Sequence, residues 1–211
     1  MKKIKIIVIF IVLALVVGFG ILNHDKIRSY FDLPTRGLEY TLNDEGTSYS
    51  VSKGKMKDTE KLIIPSTYND LPVETIANSA FKNCDSIVEV VIPDSITFIG
   101  SEAFLGCTNL KELIIPNTVL EIGSGAFFGC SSLKSYSSPF SGSGIEGNNY
   151  IGYVFGATMA FNNGSYVPKS LEVINITSDS KPIDQLAFAF LSGLKELSII
   201  KTQKTISDSI L

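Results

Sequence analysis

The residues best suited to carry chemistry are three cysteines and one histidine. Cys84, Cys107 and Cys130 recur at one constant interval, whereas His24 stands alone near the N-terminus. Cysteines at one position of a stacked repeat would lie above one another, about 5 Å apart on neighbouring strands. A disulfide joins Cα atoms roughly 4.4 to 6.8 Å apart, so the spacing permits a bridge between neighbours.

Burial of the three thiols is the alternative interpretation, and we favour it. The number of cysteines is odd, and free cysteine fills a small apolar corner well. Zinc is not expected, because neither a histidine nor a Cys-x-x-Cys pair accompanies the thiols. The sequence therefore predicts no metal and no cofactor, and both the disulfide ladder and the buried ladder remain open.

No set of residues has the spacing of an active site. General acid-base catalysis needs paired carboxylates or a histidine held in a pocket. His24 is expected to be solvated, and the acids Glu89 and Glu112 fall at outward positions of predicted strands. No glycine-rich phosphate loop with its lysine is present. The net charge of −3 gives no reason to expect nucleic acid, which requires a basic surface. These observations predict a protein that is not an enzyme and does not bind nucleic acid.

The cysteines belong to a longer repeated pattern. Four of its elements recur at the same interval as the cysteines. The first copy contains Ile92-Pro93, Ile99-Gly100, Ala103-Phe104 and Cys107, and the second contains Ile115-Pro116, Ile122-Gly123, Ala126-Phe127 and Cys130. A looser copy ends in Ala80-Phe81 and Cys84. A fixed period of about 20 to 30 residues is typical of a solenoid, whose coils bury a continuous core only when they stack. We expect Phe81, Phe104 and Phe127 to form a column in that core.

The pattern from Leu110 to Cys130 resembles the BspA-like (Treponema-type) leucine-rich repeat, and the resemblance extends from about Leu38 to the C-terminus. It implies a mainly β, right-handed leucine-rich-repeat solenoid, which the period divides into about five 23-residue coils. It also implies an N-terminal cap, for which the alternating residues of 38–57 predict a β-hairpin. Its functional implication is adhesion or another protein contact at the cell surface.

The first 37 residues are expected to lie outside the solenoid. Residues 1–22 contain three lysines followed by an apolar run that ends at Leu22. Such a run is near the length that spans a bilayer, and positive charge stays on the cytoplasmic side. We expect membrane contact through residues 4–22, as an uncleaved signal anchor or, alternatively, as a cleaved signal peptide of a secreted protein. Residues 23–37 are predicted to be a juxtamembrane connector, with the C-terminal domain outside the cell.

The solenoid is predicted over 58–211 and carries two insertions. Five extra residues around Tyr68–Pro72 should loop outward from the first coil. A second insertion, which adds about 15 residues to the regular repeat period, lies around 140–170. Because function tends to lie on loops above a rigid scaffold, one hypothesis is a binding loop; the favoured alternative is an enlarged coil whose aromatic side chains pack inward. The candidate contacts in the binding-loop hypothesis are the aromatic residues Tyr150, Tyr153, Phe155, Phe161 and Tyr166. Under the alternative, Ile151, Val154 and Phe155 are expected to pack.

Alternation along the strands predicts two outward columns on a parallel sheet. The apolar column consists of Ile63, Val91 and Ile114, and the charged column of Lys61, Glu89 and Glu112. Exposed apolar rows often mark interaction sites. We therefore hypothesise an exported, membrane-anchored module that binds a protein or surface ligand. The alternative is a structural spacer or a truncated remnant of a longer repeat protein, since the last repeat stops within a coil at Leu211.

Overall fold

The computed structural model describes residues 33–144, 147–178, 183–184 and 186–199. The predicted signal anchor and residues 200–211 lie outside this part of the chain. None of the helices within the described ranges has the length and apolar character needed to traverse a bilayer.

Strands dominate the described residues and form two main sheets. In chain order they are β1 (Glu39–Leu42), β2 (Tyr49–Ser52), β3 (Lys61–Ile63), β4 (Thr67–Tyr68), β5 (Leu71–Ile76), β6 (Glu89–Val91), β7 (Phe98–Ile99), β8 (Glu112–Ile114), β9 (Glu121–Ile122), β10 (Ser135–Ser138), β11 (Val173–Ile176) and β12 (Glu196–Ile199). The first sheet is parallel in the order β3-β6-β8-β10-β11-β12. Its regular register confirms the stacking that the repeat period predicts.

The stacked coils share one hydrophobic core, and this core contains the predicted aromatic column. Phe81 stacks on Phe104 with ring centroids 5.3 Å apart and planes at 20°. Phe104 stacks on Phe127 at 5.7 Å and 16°. All three side chains are fully buried, as is Leu113 at the centre of β8. Each coil therefore covers the apolar face of its neighbour, which a single coil of this length is too short to bury by itself.

A second sheet has the order β1-β2-β5-β7-β9. It joins the predicted hairpin, β1 and β2, to β7 and β9, which lie in segments that the sequence predicted only as returning chain. Its central pairs are parallel, with Ile76 opposite Ile99 and Ile99 opposite Ile122. Gly123 follows β9 and lies against the preceding coil: a Cβ there would be 2.3 Å from the Ser101 amide nitrogen. This position therefore needs glycine for close backbone approach, whereas the sequence predicted glycine here for a tight bend.

The N-terminal end of the solenoid is bordered by two different elements. β1 and β2 pair as an antiparallel hairpin, and β2 continues the second sheet by pairing with β5. The first sheet is bordered instead by residues 33–37. The Thr35 amide donates to the Ile63 carbonyl at 3.0 Å, and the Ile63 amide donates to the Thr35 hydroxyl at 2.8 Å. These residues of the predicted connector are thus hydrogen-bonded to the edge strand β3.

The smaller insertion forms a hairpin. β4 pairs antiparallel with the start of β5, and the turn residues Asn69 and Asp70 have positive φ angles of 46° and 65°. Asparagine and aspartate tolerate this left-handed conformation better than most residues. The extra residues therefore extend the second sheet locally.

The larger insertion contains two 3-10 helices, Ile151–Phe155 and Ala160–Asn162, and a short α-helix, α1 (Asn163–Tyr166). Val154 and Phe155 occupy the place of the Ala-Phe pair in the regular coils. The Phe127 amide donates to the Val154 carbonyl at 2.9 Å. The corresponding bond one coil earlier runs from the Phe104 amide to the Ala126 carbonyl at 2.7 Å. Ile151, Val154 and Phe155 are fully buried, which confirms their predicted packing role.

Candidate partner-binding surface

The outward face of the first sheet carries the two predicted columns, but their members differ in exposure. Ile114 is 58 % exposed, Val91 is half-buried and Ile63 is only 6 % exposed. Ile63 is the residue that Thr35 holds through two hydrogen bonds. The apolar column is therefore exposed at Ile114 and becomes the wall of a groove towards the N-terminal end.

The charged column begins with an ion pair. Lys61 Nζ lies 3.1 Å from Glu89 Oε1 across β3 and β6. Glu89 and Glu112 are opposite one another in register, and both are exposed. Exposed ion pairs contribute little to stability, typically up to about 1 kcal/mol. These side chains are thus positioned for recognition at little cost to the fold.

Beyond Ile114 the apolar column becomes polar, so the predicted apolar column ends at this residue. Ser137 is opposite Ile114, Asn175 is opposite Ser137, and Ser198 is opposite Asn175. The Asn175 amide group donates to the Ser137 hydroxyl at 3.2 Å. One repeat period on from Ile114 leads to Ser137, so the change could have been found from the sequence.

An open apolar groove of about 630 Å³ lies at the N-terminal end of this face. Ile63 and Val91 line it together with residues from outside the regular repeat, namely Pro34 from the N-terminal segment, and Ser66 and Thr67 at the start of β4. Sequence spacing gave no sign that these two segments meet. The groove is of the size that ligand-binding clefts commonly have.

The predicted tyrosines lie together in part. Tyr150 and Tyr153 make an edge-to-face contact at 6.3 Å, and the Tyr150 hydroxyl donates to the Ala157 carbonyl at 3.3 Å. Burial, and to a lesser extent Tyr153, raise the pKa of Tyr150. Tyr166 packs separately against Phe128 at 6.0 Å. All three tyrosines are half-buried, so they combine packing with limited exposure.

Three apolar side chains are more exposed: Met159 and Phe161 of the insertion and Phe190 of the following coil are 51, 65 and 60 % exposed. The rings of Phe161 and Phe190 are 6.2 Å apart. Phe190 has a positive φ of 64°, an unusual conformation for a bulky residue. It occupies the repeat position of Gly106 and Gly129, three residues after the alanine.

The model of the BspA type leucine rich repeat region matches six copies over residues 55–152 and 159–211. The chain belongs to this family. The match covers most of the solenoid and leaves out only residues 153–158 of the large insertion. It agrees with the repeated columns seen in the two sheets.

The chain is similar to solved structures of leucine-rich repeat proteins, and the first of these shows the shared fold. The chain is 24 % identical to the T. pallidum leucine rich repeat protein, with 78 % of this chain and 80 % of that chain covered at a TM-score of 0.54. It is 19 % identical to a leucine-rich repeat protein from Bacteroides capillosus, covering 78 and 95 % at a TM-score of 0.48. A Bacteroides ovatus leucine-rich repeat protein is 23 % identical, covering 79 and 41 % at 0.48. No curated protein matches the chain significantly.

In this leucine-rich repeat chain the three cysteines are free thiols in the core. The Cys107 thiol donates to the Phe81 carbonyl at 3.2 Å, and the Cys130 thiol donates to the Phe104 carbonyl at 3.4 Å. Burial and, second, the neighbouring Cys84 raise the pKa of Cys107 to about 12. A high pKa disfavours the reactive thiolate. The geometry agrees with the favoured buried ladder, in which the Cys107 and Cys130 thiols each bond to the preceding coil and the Cys84 thiol contacts the Lys82 carbonyl of its own coil.

Proposed function

We propose that this chain is an exported, membrane-anchored binding module that contacts a protein at the cell surface through the outward face of its first sheet. In this proposal residues 1–22 form the signal anchor, β1 and β2 cap a right-handed solenoid of about five coils, and no catalysis takes place. Family membership supports a binding role, since leucine-rich repeat chains typically bind proteins.

The observation that carries the proposal is the position of Ile114. A large apolar side chain that is more than half exposed lies on the same face as the apolar groove, with Glu112 in the neighbouring column and Ser137 next along its own column. Interfaces commonly combine an apolar centre with a polar rim. Ile114 would supply the centre, and Glu89 and Glu112 the rim.

Site-specific crosslinking tests the binding face. A photoreactive residue would replace Ile114 in the full-length protein, and in a matched control it would replace Leu120, which is 55 % exposed but precedes β9 in the other sheet. Illumination on intact cells should yield a discrete adduct from position 114 and none from position 120. Equal labelling from both positions, or no adduct at all, would favour the spacer role instead.

The partner identified in that adduct would then be titrated against variants. Ile114→Ser should weaken binding by about tenfold or more, because burying an isoleucine side chain contributes about 1.5 to 3 kcal/mol. Leu120→Ser should leave the affinity unchanged. Ile63 is unsuitable for this test because it is buried, and its replacement would disturb the fold.

Export and anchoring have a separate test. Cell fractionation with sodium carbonate should leave the protein in the membrane, and external protease should digest the solenoid of intact cells. Intact mass of the purified protein distinguishes an uncleaved anchor from a processed signal peptide. Recovery in the cytosolic fraction would contradict this part of the proposal.

A further inference from the structure

One pair of neighbouring residues in the large insertion is chemically labile. Asn163-Gly164 is the single Asn-Gly pair in the sequence. In such a pair the glycine nitrogen can attack the asparagine side-chain amide, because glycine has no side chain to hinder the approach. Neither the repeat pattern nor the outward face of the first sheet explains why the chain carries this pair.

The contacts of Asn163 require an asparagine. Its side chain is fully buried. The side-chain oxygen accepts the Gly152 amide proton at 3.0 Å, and the side-chain nitrogen donates to the carbonyls of Leu186 and Ala187 at 3.3 and 3.2 Å. Only a side-chain amide supplies both an acceptor and two donors from one planar group. Asn163 therefore joins the insertion to the following coil.

The next position requires a glycine. A Cβ on Gly164 would lie 2.5 Å from the Phe190 carbonyl oxygen and 3.2 Å from the Phe190 Cβ. Any larger residue would push the following coil away from the insertion, so the close approach depends on glycine. The fold thus places the labile pair directly at the contact between the insertion and this coil.

The closed structure opposes the reaction of this pair. Asn163 has helical backbone angles, with φ −46° and ψ −50°, at the start of α1. Attack requires the side-chain carbon of Asn163 to turn onto the Gly164 nitrogen, whereas three hydrogen bonds hold the side chain against Gly152 and the following coil. The reaction is therefore confined to molecules in which this contact has opened locally.

We propose that Asn163 is a deamidation site whose reaction depends on opening of the large insertion. In the open molecule the Gly164 nitrogen forms a bond to the side-chain carbon of Asn163. The bond from that carbon to Nδ2 breaks, and Nδ2 leaves as ammonia with the proton of Gly164. Water then opens the cyclic imide, which leaves aspartate or isoaspartate at position 163.

The product cannot restore the contact. A carboxylate has no proton to donate, so the carbonyls of Leu186 and Ala187 lose their donor and face another acceptor. Burial of the new charge without a partner is also costly. A transient opening of the insertion thereby becomes a permanent loss of its contact with the following coil. This modification does not depend on the binding face proposed above.

The rate of deamidation tests the dependence on opening. The full-length protein in neutral detergent is incubated at mildly alkaline pH, and peptide mass spectrometry then separates asparagine, aspartate and isoaspartate at position 163. In urea the unfolded chain should react at least about tenfold faster than the native protein, because only open molecules react. Equal rates in the two conditions would overturn the proposal.

Two valine variants show whether the opening is that of the insertion. Val154 lies in the insertion and Val51 lies in β2, and both are fully buried. Val154→Ala should accelerate deamidation in the native protein, because it removes packing from the insertion, whereas Val51→Ala removes the same group at the other end of the chain and should not. Equal acceleration by both variants would contradict opening of the insertion as the controlling step.

A variant that reproduces the product tests the consequence. In Asn163→Asp the Ile151 amide, which donates to the Ala187 carbonyl at 2.9 Å, should exchange its hydrogen at least about tenfold faster than in the unmodified protein. Ser165→Asp adds the same charge at an exposed position of α1 and should leave this exchange rate unchanged. Unchanged exchange in Asn163→Asp, or equal acceleration in both variants, would show that deamidation does not release the following coil.

Discussion

At the scale of single residues, Asn163 connects the large insertion to the following coil. Its side chain is fully buried in α1. The oxygen accepts the Gly152 amide proton at 3.0 Å, and the nitrogen donates to the carbonyls of Leu186 and Ala187 at 3.3 and 3.2 Å. One side chain thus joins three segments, because a buried amide group must satisfy its donors and acceptor.

Asn163→Ala should lower the free energy of unfolding by about 3 kcal/mol, because it leaves a buried amide and two carbonyls without this partner. Urea denaturation of the full-length protein in neutral detergent measures the change. Ser165→Ala is the matched control: it lies in the same helix but is exposed, and should change stability by less than about 0.5 kcal/mol. Equal losses in both variants would show that Asn163 does not connect these segments.

At the scale of one coil, the turn before each cysteine uses left-handed backbone at two positions. Ser79, Glu102 and Gly125 share the first, with φ angles of 53°, 57° and 61°. The second includes Gly106 and Gly129, at 75° and 78°. Hydrogen bonds between coils hold this geometry even where the residue is not glycine. The Ser79 amide, for example, donates to the Ser101 carbonyl at 2.9 Å. Neighbouring coils therefore impose a conformation that serine and glutamate do not prefer.

Ser79→Gly should raise the free energy of unfolding by about 0.5 to 1 kcal/mol, since glycine adopts positive φ without steric cost. Gly129→Ala should lower it by a similar amount; a Cβ there meets its nearest neighbour at 3.5 Å, so the loss reflects conformation and not a clash. Thermal unfolding of both variants under identical conditions provides the comparison. A stabilising Gly129→Ala would contradict the assignment of this turn.

At the scale of the whole molecule, the cysteine column links stability to alkaline pH. Burial raises the pKa of Cys84, Cys107 and Cys130 above the ordinary value of 9.0, and that of Cys107 to about 12. Above pH 9 the unfolded chain loses thiol protons that the folded chain retains. The stabilisation is therefore complete below pH 9 and is lost progressively as pH rises towards 12.

Between pH 9 and 12 the free energy of unfolding should fall by about 1.4 kcal/mol per pH unit for each thiol that stays protonated in the fold. Denaturation at a series of pH values measures this slope. Cys107→Ala should reduce this slope by the contribution of one thiol. The free energy of unfolding of this variant below pH 9 is measured separately and compared with that of the unmodified protein. A slope unchanged in that variant would mean that Cys107 is not the titrating group.

The periodic part of the molecule was predictable because every coil must present the same shape to the next. That requirement repeats the apolar residues at one period, so Phe81, Phe104 and Phe127 could be placed in a column from spacing alone. The same period led to the outward positions of Glu89, Glu112 and Ile114. It did not reveal the second sheet, whose strands β7 and β9 are only two residues long and carry too little alternation to recognise.

The sequence by itself determined the repeat, its core residues and the family. The tertiary structure decided the surface: that Ile63 is buried beside Thr35, and that Pro34 and Thr67 line one groove with it. It also decided that Val154 and Phe155 replace the usual Ala-Phe pair. The physical reason is that these segments are non-repeating, and contacts with residues distant in the chain position them. Spacing along the sequence does not record such contacts.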